Sequence, residues 1–460
     1  MKDHGHTYPA AERLNTSAYS RAHLDDSSLT IQVVRDAETF STLRNEWNEL
    51  AVASSATIYQ THEWLSIWWK YYGSQPNRSL YILLFRYFGK LVGVTPLCLQ
   101  NDNVFGLCLD RRLTFLGSGE AFGKSFGIFF DDGPSDYLDI IILPGFEIEV
   151  CHCLLTYLKE FGNFYDTIEL VNAKPYGTLM KELVPRLEQY GFSHKVSQAE
   201  VCSQLHVPPS FEKYLFGLKP SVRRRLSQAL RAAEDNGIFT IKEIDSLKGY
   251  KQALHLLIQL HQKRWNRMGY PGLFADQRFQ RFQEDIINAF YQNGWLWCKT
   301  AHANGSGVAA RLSFKFNNCY YDYLSGFDDA SLSAKYRPGL LLLIEMIKDA
   351  IREKIQTIDL LRGDEQYKTE LAPHKSSNWN IIIRHRNSKG KLHLQLFRSI
   401  HSVMRFLVFL MNRERKLIVA QYDERSFPKF VISYIKFRCS RLINKIRKAR
   451  FRLLRGGDST

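Results

Sequence analysis

Apolar and polar residues follow one another along residues 29–207 in a pattern that predicts both strands and helices. The run Leu29–Val34 is typical of a strand, and Ala37–Ala53 spaces its large apolar side chains by three and four residues, as one face of a helix does. A second amphipathic helix is predicted at His62–Tyr72, and two apolar runs, Leu80–Tyr87 and Leu91–Leu99, are separated by a break typical of a hairpin. Further strands are predicted at Arg112–Phe115, Tyr137–Ile142, Thr167–Val171 and Glu200–Val207, and helices at Glu147–Phe161 and Tyr176–Tyr190.

Residues 208–390 repeat this order of elements. The predicted elements are a basic helix at Lys219–Asn236, a strand at Ile238–Ile244, helices at Leu247–Met268 and Gln277–Asn293, strands at Trp295–Ala301, Gly307–Phe316 and Cys319–Gly326, an apolar helix at Leu340–Glu353 and a strand at Thr357–Leu361. The pattern therefore predicts an α+β chain with two similar halves, 29–207 and 208–390.

The two ends of the chain differ from these halves in composition. Residues 1–28 are polar and short of β-branched residues, which predicts a disordered leader. The region 391–460 contains 17 Lys or Arg against 4 Asp or Glu, so it carries 13 of the 16 net positive charges of the chain. Its basic residues alternate with apolar ones at helical spacing, which predicts a basic amphipathic helical tail that binds an anionic membrane surface. Nucleic acid is the rival partner, because phosphates also attract such charge.

Several protein classes do not fit this sequence. It shows no signal peptide and no run of 18 uncharged apolar residues, so we expect a cytoplasmic location with peripheral attachment to the inner face of the membrane. The eight cysteines form no CxxC pair, and no metal site is predicted. The motifs of zinc proteases, serine hydrolases and P-loop nucleotide hydrolases are absent from the sequence.

The first candidate site is the start of the apolar helix, at Arg337, Pro338, Gly339 and Leu340. Free backbone N–H groups and the positive end of the helix dipole favour an anion at such a helix start. Pro338 gives up no hydrogen bond there, and Gly339 allows a ligand to approach the backbone closely. The alternative is that the Pro-Gly pair merely begins a buried helix.

The second candidate site follows the strand Thr357–Leu361. Arg362, Asp364, Glu365, Tyr367 and Lys368 lie within seven positions, which is dense for an ordinary surface turn. These groups suit proton transfer and anion binding. The alternative is an ion-pair network that locks the loop.

The sequence resembles the CelD-type (cellulose-biosynthesis) acetyltransferases of the GNAT superfamily, which are related to the FemAB-like aminoacyl transferases. The resemblance covers roughly residues 31–385, and the motifs that carry it are Gln60–Leu65 with Trp68-Trp69, Leu91–Leu97, Gly307–Ala310, Tyr323–Asp328, Arg337–Gly339 and Asp359–Lys368. Gln366 departs from the family pattern, which has Pro at that position, and this change loosens the turn before Tyr367.

The resemblance implies two GNAT-like domains in tandem, each with a mixed, mainly antiparallel sheet flanked by helices. It implies transfer of an acyl group from acetyl-CoA or another acyl-CoA to an amine, with an amino sugar or another envelope precursor as the acceptor class. Tyr367 is then the acid that protonates the leaving thiolate, and Asp364 or Glu365 accepts the amine proton. Coenzyme A binding is expected at Arg337, Pro338, Gly339, Leu340 and Lys368, and acceptor binding at Arg362, Tyr323 and Asp328.

Two other functions fit the same sequence. One is a FemAB-like peptidyl transferase that uses aminoacyl-tRNA, and the other is a non-catalytic subunit of a polysaccharide-synthesis complex.

Two further sets of residues also allow two interpretations. Arg223, Arg224 and Arg225 are either a solvated helix face or a contact for an anionic substrate. Trp64, Trp68 and Trp69 either pack in the core or line a sugar-binding cleft.

Overall fold

The computed structural model describes residues 29–104, 107–119, 133–235, 238–268 and 272–385. The leader predicted at 1–28 and the basic tail predicted at 391–460 therefore lie outside the described residues. Within the described ranges, no helix is both long enough and apolar enough to span a bilayer.

Within the described residues, thirteen strands form one mixed sheet with helices on both faces, which confirms the predicted α+β class. The strands are β1 (Leu29–Val34), β2 (Arg78–Tyr87), β3 (Lys90–Val104), β4 (Leu107–Phe115), β5 (Ile141–Ile142), β6 (Thr167–Ala173), β7 (Phe192–His206), β8 (Thr240–Glu243), β9 (Leu296–Ala303), β10 (Ser306–Phe316), β11 (Cys319–Phe327), β12 (Thr357–Arg362) and β13 (His374–His385). Their order is β1-β2-β3-β4-β6-β13-β7-β12-β11-β10-β9-β8, and β5 pairs with β3 outside this path.

Ten α-helices connect these strands in the described part of the chain. They are α1 (Ala37–Thr42), α2 (Arg44–Ala53), α3 (His62–Trp68), α4 (Glu147–Glu160), α5 (Phe211–Gly217), α6 (Pro220–Asp235), α7 (Leu247–Arg267), α8 (Gln277–Gln292), α9 (Pro338–Arg352) and α10 (Gln366–Leu371). Each half has the same order: one strand, a group of helices, three antiparallel strands, a helix and a strand parallel to the last of the three.

The last strand of each half pairs with the other half. Strand β7 ends the first half and pairs with β12, whereas β13 ends the second half and pairs with β6. The two exchanged strands also pair with each other over most of their length. The sheet is therefore continuous from one half to the other.

A hydrophobic core is likewise shared between the halves on one face of the sheet. Trp64 of α3 is fully buried, and its ring contacts Phe282 of α8 at 5.1 Å and Phe314 of β10 at 5.9 Å between centroids. Trp68 is buried in the same core, and Trp69 packs against it. These tryptophans therefore pack between helices instead of lining a sugar-binding cleft.

Several predicted elements need correction. The helix predicted at Ala37–Ala53 is broken at Leu43 into α1 and α2. The helix predicted at Tyr176–Tyr190 is a π turn followed by a 3₁₀ helix, because Pro185 cannot donate a helical hydrogen bond. Of the strand predicted at Tyr137–Ile142 only Ile141–Ile142 pairs as a strand, since Tyr137 has a positive φ of 56°. The sequence pattern did not reveal α5, α10 and β13.

Candidate active site between two diverging parallel strands

The two parallel strands of the second half separate after a short stretch of pairing. Strand β11 pairs with β12 only at Cys319–Thr357, Tyr320–Ile358 and Tyr321–Asp359, although β11 continues to Phe327. Strand β12 turns toward β7, where Arg362 lies opposite Cys202. We refer to the space between Asp322–Phe327 and Leu360–Arg362 as the wedge.

An extra residue in β11 marks the start of the wedge. Between the pairs Leu312–Leu324 and Phe314–Tyr321, β10 advances by two residues and β11 by three. Such a β-bulge bends its strand and redirects side chains. Asp322 and Tyr323 lie at this bulge, so their side chains are placed where the two parallel strands diverge.

The corresponding space in the first half is filled by the chain itself. Strands β4 and β6 pair only at Arg112–Thr167, Leu113–Ile168 and Thr114–Glu169. Beyond this point Leu138 takes the place of a neighbouring strand, because its N–H donates to Asn172 O (2.9 Å) and its carbonyl accepts from Lys174 N–H (3.0 Å). Its neighbours at 133–140 are all buried. The two halves therefore share a topology, but they differ in what occupies this space.

The start of α9 lies against the end of β11, since a Cβ at Gly339 would lie 3.0 Å from the Phe327 ring. Arg337 precedes α9 with φ at 54°, which is uncommon for a residue with a side chain, and it is exposed. Pro338 is the first helical residue, and the Leu340 and Leu341 N–H groups donate to the Arg337 carbonyl at 3.0 and 3.1 Å. Gly339 N–H takes part in neither of these bonds. Fewer first-turn amides therefore remain for an anion than the sequence alone suggests.

A buried ion pair joins this helix start to β10 and β11. The side chains of Arg311 and Asp322 are each 5% exposed and form an ion pair. Arg311 Nη2 also donates to the Gly339 carbonyl at 3.0 Å. Tyr367 of α10 is 37% exposed, and both charges influence the pKa of its hydroxyl. Partial burial raises the pKa of Tyr367 above its ordinary range, and Asp322 adds to this rise while Arg311 opposes it.

The other ionisable residues of the second candidate site form a local network. Lys368 is buried, and its Nζ contacts the Arg362 carbonyl and Glu365 Oε2, the latter at 3.2 Å. Asp364 and Glu365 are exposed at the end of the strand. This arrangement supports the ion-pair interpretation for Lys368, and it leaves the two carboxylates accessible to solvent.

On the opposite face of the sheet, the wedge meets the buried segment of the first half. Arg362 Nε pairs with Asp136 Oδ1 at 2.7 Å, and its Nη2 donates to the Gly133 carbonyl at 2.9 Å. Tyr323 donates to the Pro134 carbonyl at 3.4 Å and accepts a hydrogen bond from Gln283 at 3.2 Å. The structure thus brings together Arg362 and Tyr323, which the resemblance assigns to the acceptor.

Asp328 lies at the far end of β11, apart from this group. It pairs with Lys263 of α7 at 2.7 Å. Partial burial acts to raise the pKa of Asp328, but hydrogen bonds from Lys263 and from the Ala330 N–H lower it overall. Arg225 of α6 pairs with Glu370 and Arg223 lies over the Phe216 ring at 5.2 Å, so two of the three consecutive arginines have structural partners.

Sequence reasoning assigned no role to Arg311, Asp322 or Asp136. A signal existed for the first two, because each is a charged residue inside a predicted apolar strand and the two strands form a hairpin. No comparable signal existed for Asp136, since its contact with Arg362 joins residues 226 positions apart in the sequence. Within the described ranges, no group of three or more His, Cys, Asp and Glu side chains is placed to hold a metal ion.

Comparison with known proteins agrees with this topology. Residues 220–369, which lie in the second half, match the family model described as "Acetyltransferase (GNAT) domain". No curated protein matches the sequence. The crystal structure of FemX has a similar fold, with a TM-score of 0.54 and 11% sequence identity over 81% of this chain and 99% of that chain.

Two further solved structures are more distant. A conserved protein of unknown function from Bacteroides thetaiotaomicron VPI-5482 gives a TM-score of 0.46 at 11% identity, over 77% of this chain and all of that chain (100%). A tandem GNAT protein from the clavulanic acid biosynthesis pathway gives 0.39 at 12% identity, over 76% of this chain and 98% of that chain.

Proposed function

We propose that this chain is an N-acyltransferase that moves an acetyl or longer acyl group from an acyl-CoA to an amine. The observation that carries the proposal is the wedge between β11 and β12, whose β11 side is joined to the first turn of α9 through Asp322 and Arg311. The match of residues 220–369 to the GNAT domain supports the same class of reaction.

The acyl donor is proposed to bind on the α9 side of the wedge. Gly339 N–H and the positive end of the α9 dipole favour a phosphate at the helix start. The exposed Arg337 adds a cation at the same place, with Pro338 and Leu340 forming the backbone around it. Lys368 is already held by Arg362 and Glu365, so we assign it to the support of this loop and to a longer-range attraction of the donor.

Tyr367 is proposed to protonate the leaving thiolate. The neutral amine attacks the thioester carbonyl, the C–N bond forms, and the C–S bond breaks as the electron pair moves to sulfur. The Tyr367 hydroxyl is protonated at neutral pH and can donate its proton to the sulfur as negative charge develops there. Its raised pKa keeps the hydroxyl protonated but also makes it a weaker acid than a free tyrosine. The exposed Asp364 or Glu365 accepts the proton that the amine loses, directly or through water.

The acceptor is proposed to approach from the opposite face of the sheet. Tyr323, Arg362 and Asp136 form a polar group there, and Asp328 follows the end of β11. An amino sugar or another envelope precursor is the proposed acceptor class. Binding of residues 391–460 to an anionic membrane would bring the chain close to such an acceptor.

Thiol release from acetyl-CoA, with a panel of amino sugars and other amines, tests the reaction. Tyr367→Phe should lower kcat about 100-fold or more while the KM for acetyl-CoA changes little, because general acid catalysis typically contributes that much. Tyr176→Phe is the matched control, since Tyr176 is 77% exposed and belongs to the first half. Equal rates for the two variants would remove Tyr367 from the mechanism.

Calorimetric titration separates the proposal from its two alternatives. Binding of acetyl-CoA with thiol release supports the N-acyltransferase. Binding of aminoacyl-tRNA but not of acetyl-CoA would support a FemAB-like peptidyl transferase. Binding of acetyl-CoA without thiol release for any acceptor would support a non-catalytic subunit.

A further inference from the structure

The Arg311–Asp322 pair occupies an unusual position for a buried ion pair. It lies between β10 and β11 at the bulge, where β11 begins to leave β12. Ser313 on β10 donates to the second carboxylate oxygen of Asp322 at 3.4 Å. The pair is thus anchored to two strands of the sheet on the α9 side of the wedge.

The same arginine holds the first turn of α9. Arg311 Nη2 donates to the Gly339 carbonyl at 3.0 Å, and the Arg337 carbonyl that begins the helix accepts from Leu340 and Leu341. The planar guanidinium fixes the directions of its N–H groups, so the carboxylate and the carbonyl are held in a set geometry relative to each other. We refer to Arg311, Asp322 and the Gly339 carbonyl as the clamp.

Stability alone is a weak reason for such a pair. Well-packed apolar residues often serve as well as a buried ion pair, because both charges lose their hydration. In addition, Arg311 Nε is buried and has no hydrogen-bond partner among the described residues, which is a further cost. The buried pair carries this cost in stability and lies at the edge of a candidate site. This combination indicates that the pair serves the geometry of the site.

We propose that Arg311 is a positioning residue that fixes the first turn of α9 against the β11 bulge and thereby shapes the binding site for the acyl donor. This inference rests on the proposed function, since it concerns the same wedge. Arg311 acts through Gly339 and Asp322.

The test compares two pairs of substitutions in the full chain. The variant R311M/D322N removes both charges of the clamp with little change in volume. The control K299M/D349N removes the equally buried pair Lys299–Asp349, whose Nζ–Oδ2 distance is 2.7 Å, further along α9. Ten residues separate Gly339 from Asp349, which is about 15 Å along a helix.

The first measurement is steady-state kinetics with acetyl-CoA. We expect R311M/D322N to raise the KM for acetyl-CoA roughly tenfold, the usual effect of losing a hydrogen bond to a charged group, with a smaller change in kcat. The control should keep the KM of the unsubstituted protein. A rise of the same size in both variants would mean a general loss of packing and would overturn the proposal.

The second measurement is hydrogen exchange at the amides of Gly339, Leu340 and Leu341. Faster exchange in R311M/D322N, but not in K299M/D349N, supports the clamp even when no acyl donor is turned over by the unsubstituted protein. In that case the proposed function fails while the positioning role of Arg311 stands. Unchanged exchange in R311M/D322N would overturn the positioning role, whatever the kinetics show.

Discussion

Asp359 lies at the point where β12 turns away from β11, and its carboxylate is almost fully buried. It accepts hydrogen bonds from Tyr137 Oη (3.0 Å), Gln204 Nε2 (2.6 Å) and the Leu361 N–H (2.8 Å). The last of these holds Leu361 at a φ of 56°, a conformation that is strained for a leucine. Asp359 therefore stabilises the bend that opens the wedge.

Burial raises the pKa of Asp359 from 3.8 to about 6. The folded chain thus binds this proton more tightly than the unfolded chain does. The resulting stabilisation is present below about pH 4 and is lost as the pH rises through about 6. Between pH 4 and pH 7 the unsubstituted protein should therefore lose about 2 kcal/mol of its free energy of unfolding through this group. Asp359→Asn should not show that loss.

Urea denaturation at several pH values measures this difference. Asp364→Asn, at an exposed position, controls for the loss of one carboxylate. Parallel pH curves for Asp359→Asn and the unsubstituted protein would contradict the prediction.

At the scale of single elements, close packing of α7 on β11 defines one side of the second half. Gly326 of β11 makes this possible, because a Cβ there would lie 2.8 Å from the Leu257 carbonyl oxygen and 3.2 Å from Leu260 Cβ. Such distances leave no room for a side chain. The helix and the strand are therefore in direct contact just before the loop that leads to α9.

Gly326→Ala should separate α7 from β11 and destabilise the protein by about 1–3 kcal/mol, as overpacking usually does. Gly217→Ala is the control, since nothing lies within 4 Å of its Cβ position. That control should be neutral or slightly stabilising, because alanine favours the helical state. Urea denaturation compares the two, and equal midpoints would show that α7 can move without cost.

The elements that the sequence revealed are those with a local pattern. The hairpin of β2 and β3, the helices α7, α8 and α9, and the helix start at Pro338 follow from spacing and from turn residues. The positions of β13 and β7 do not follow from local spacing, because these strands pair with segments that are distant in the sequence. The sequence also revealed the two candidate sites, but it did not reveal the role of Arg311 and Asp322. Each is a charged residue in an apolar strand, and the local pattern does not show that the pair contacts the start of α9.

At the scale of the whole molecule, the exchange of β7 and β13 makes each half depend on the other. Strand β12 has β7 as its partner from the first half, and β6 has β13 from the second. The core around Trp64 is also built from both halves. A division between residues 207 and 208, as the sequence repeat suggests, would expose unpaired strand edges on both pieces.

Pieces 29–207 and 208–385 should therefore be insoluble or unfolded when each is produced alone. Produced together, they should assemble, since every strand then finds its partner. The undivided segment 29–385 should unfold in one cooperative thermal transition. Circular dichroism and calorimetry distinguish these outcomes, and two separate transitions, or one stably folded piece, would contradict this prediction.

The buried segment around Leu138 also has a consequence for how many molecules of acyl donor the chain binds. It occupies the place in the first half that corresponds to the wedge, so among the described residues the space between the diverging strands is filled by the chain itself in that half. Saturation should accordingly be reached at one equivalent of acyl donor per polypeptide, and a calorimetric end point near two would show that the internal segment can be displaced.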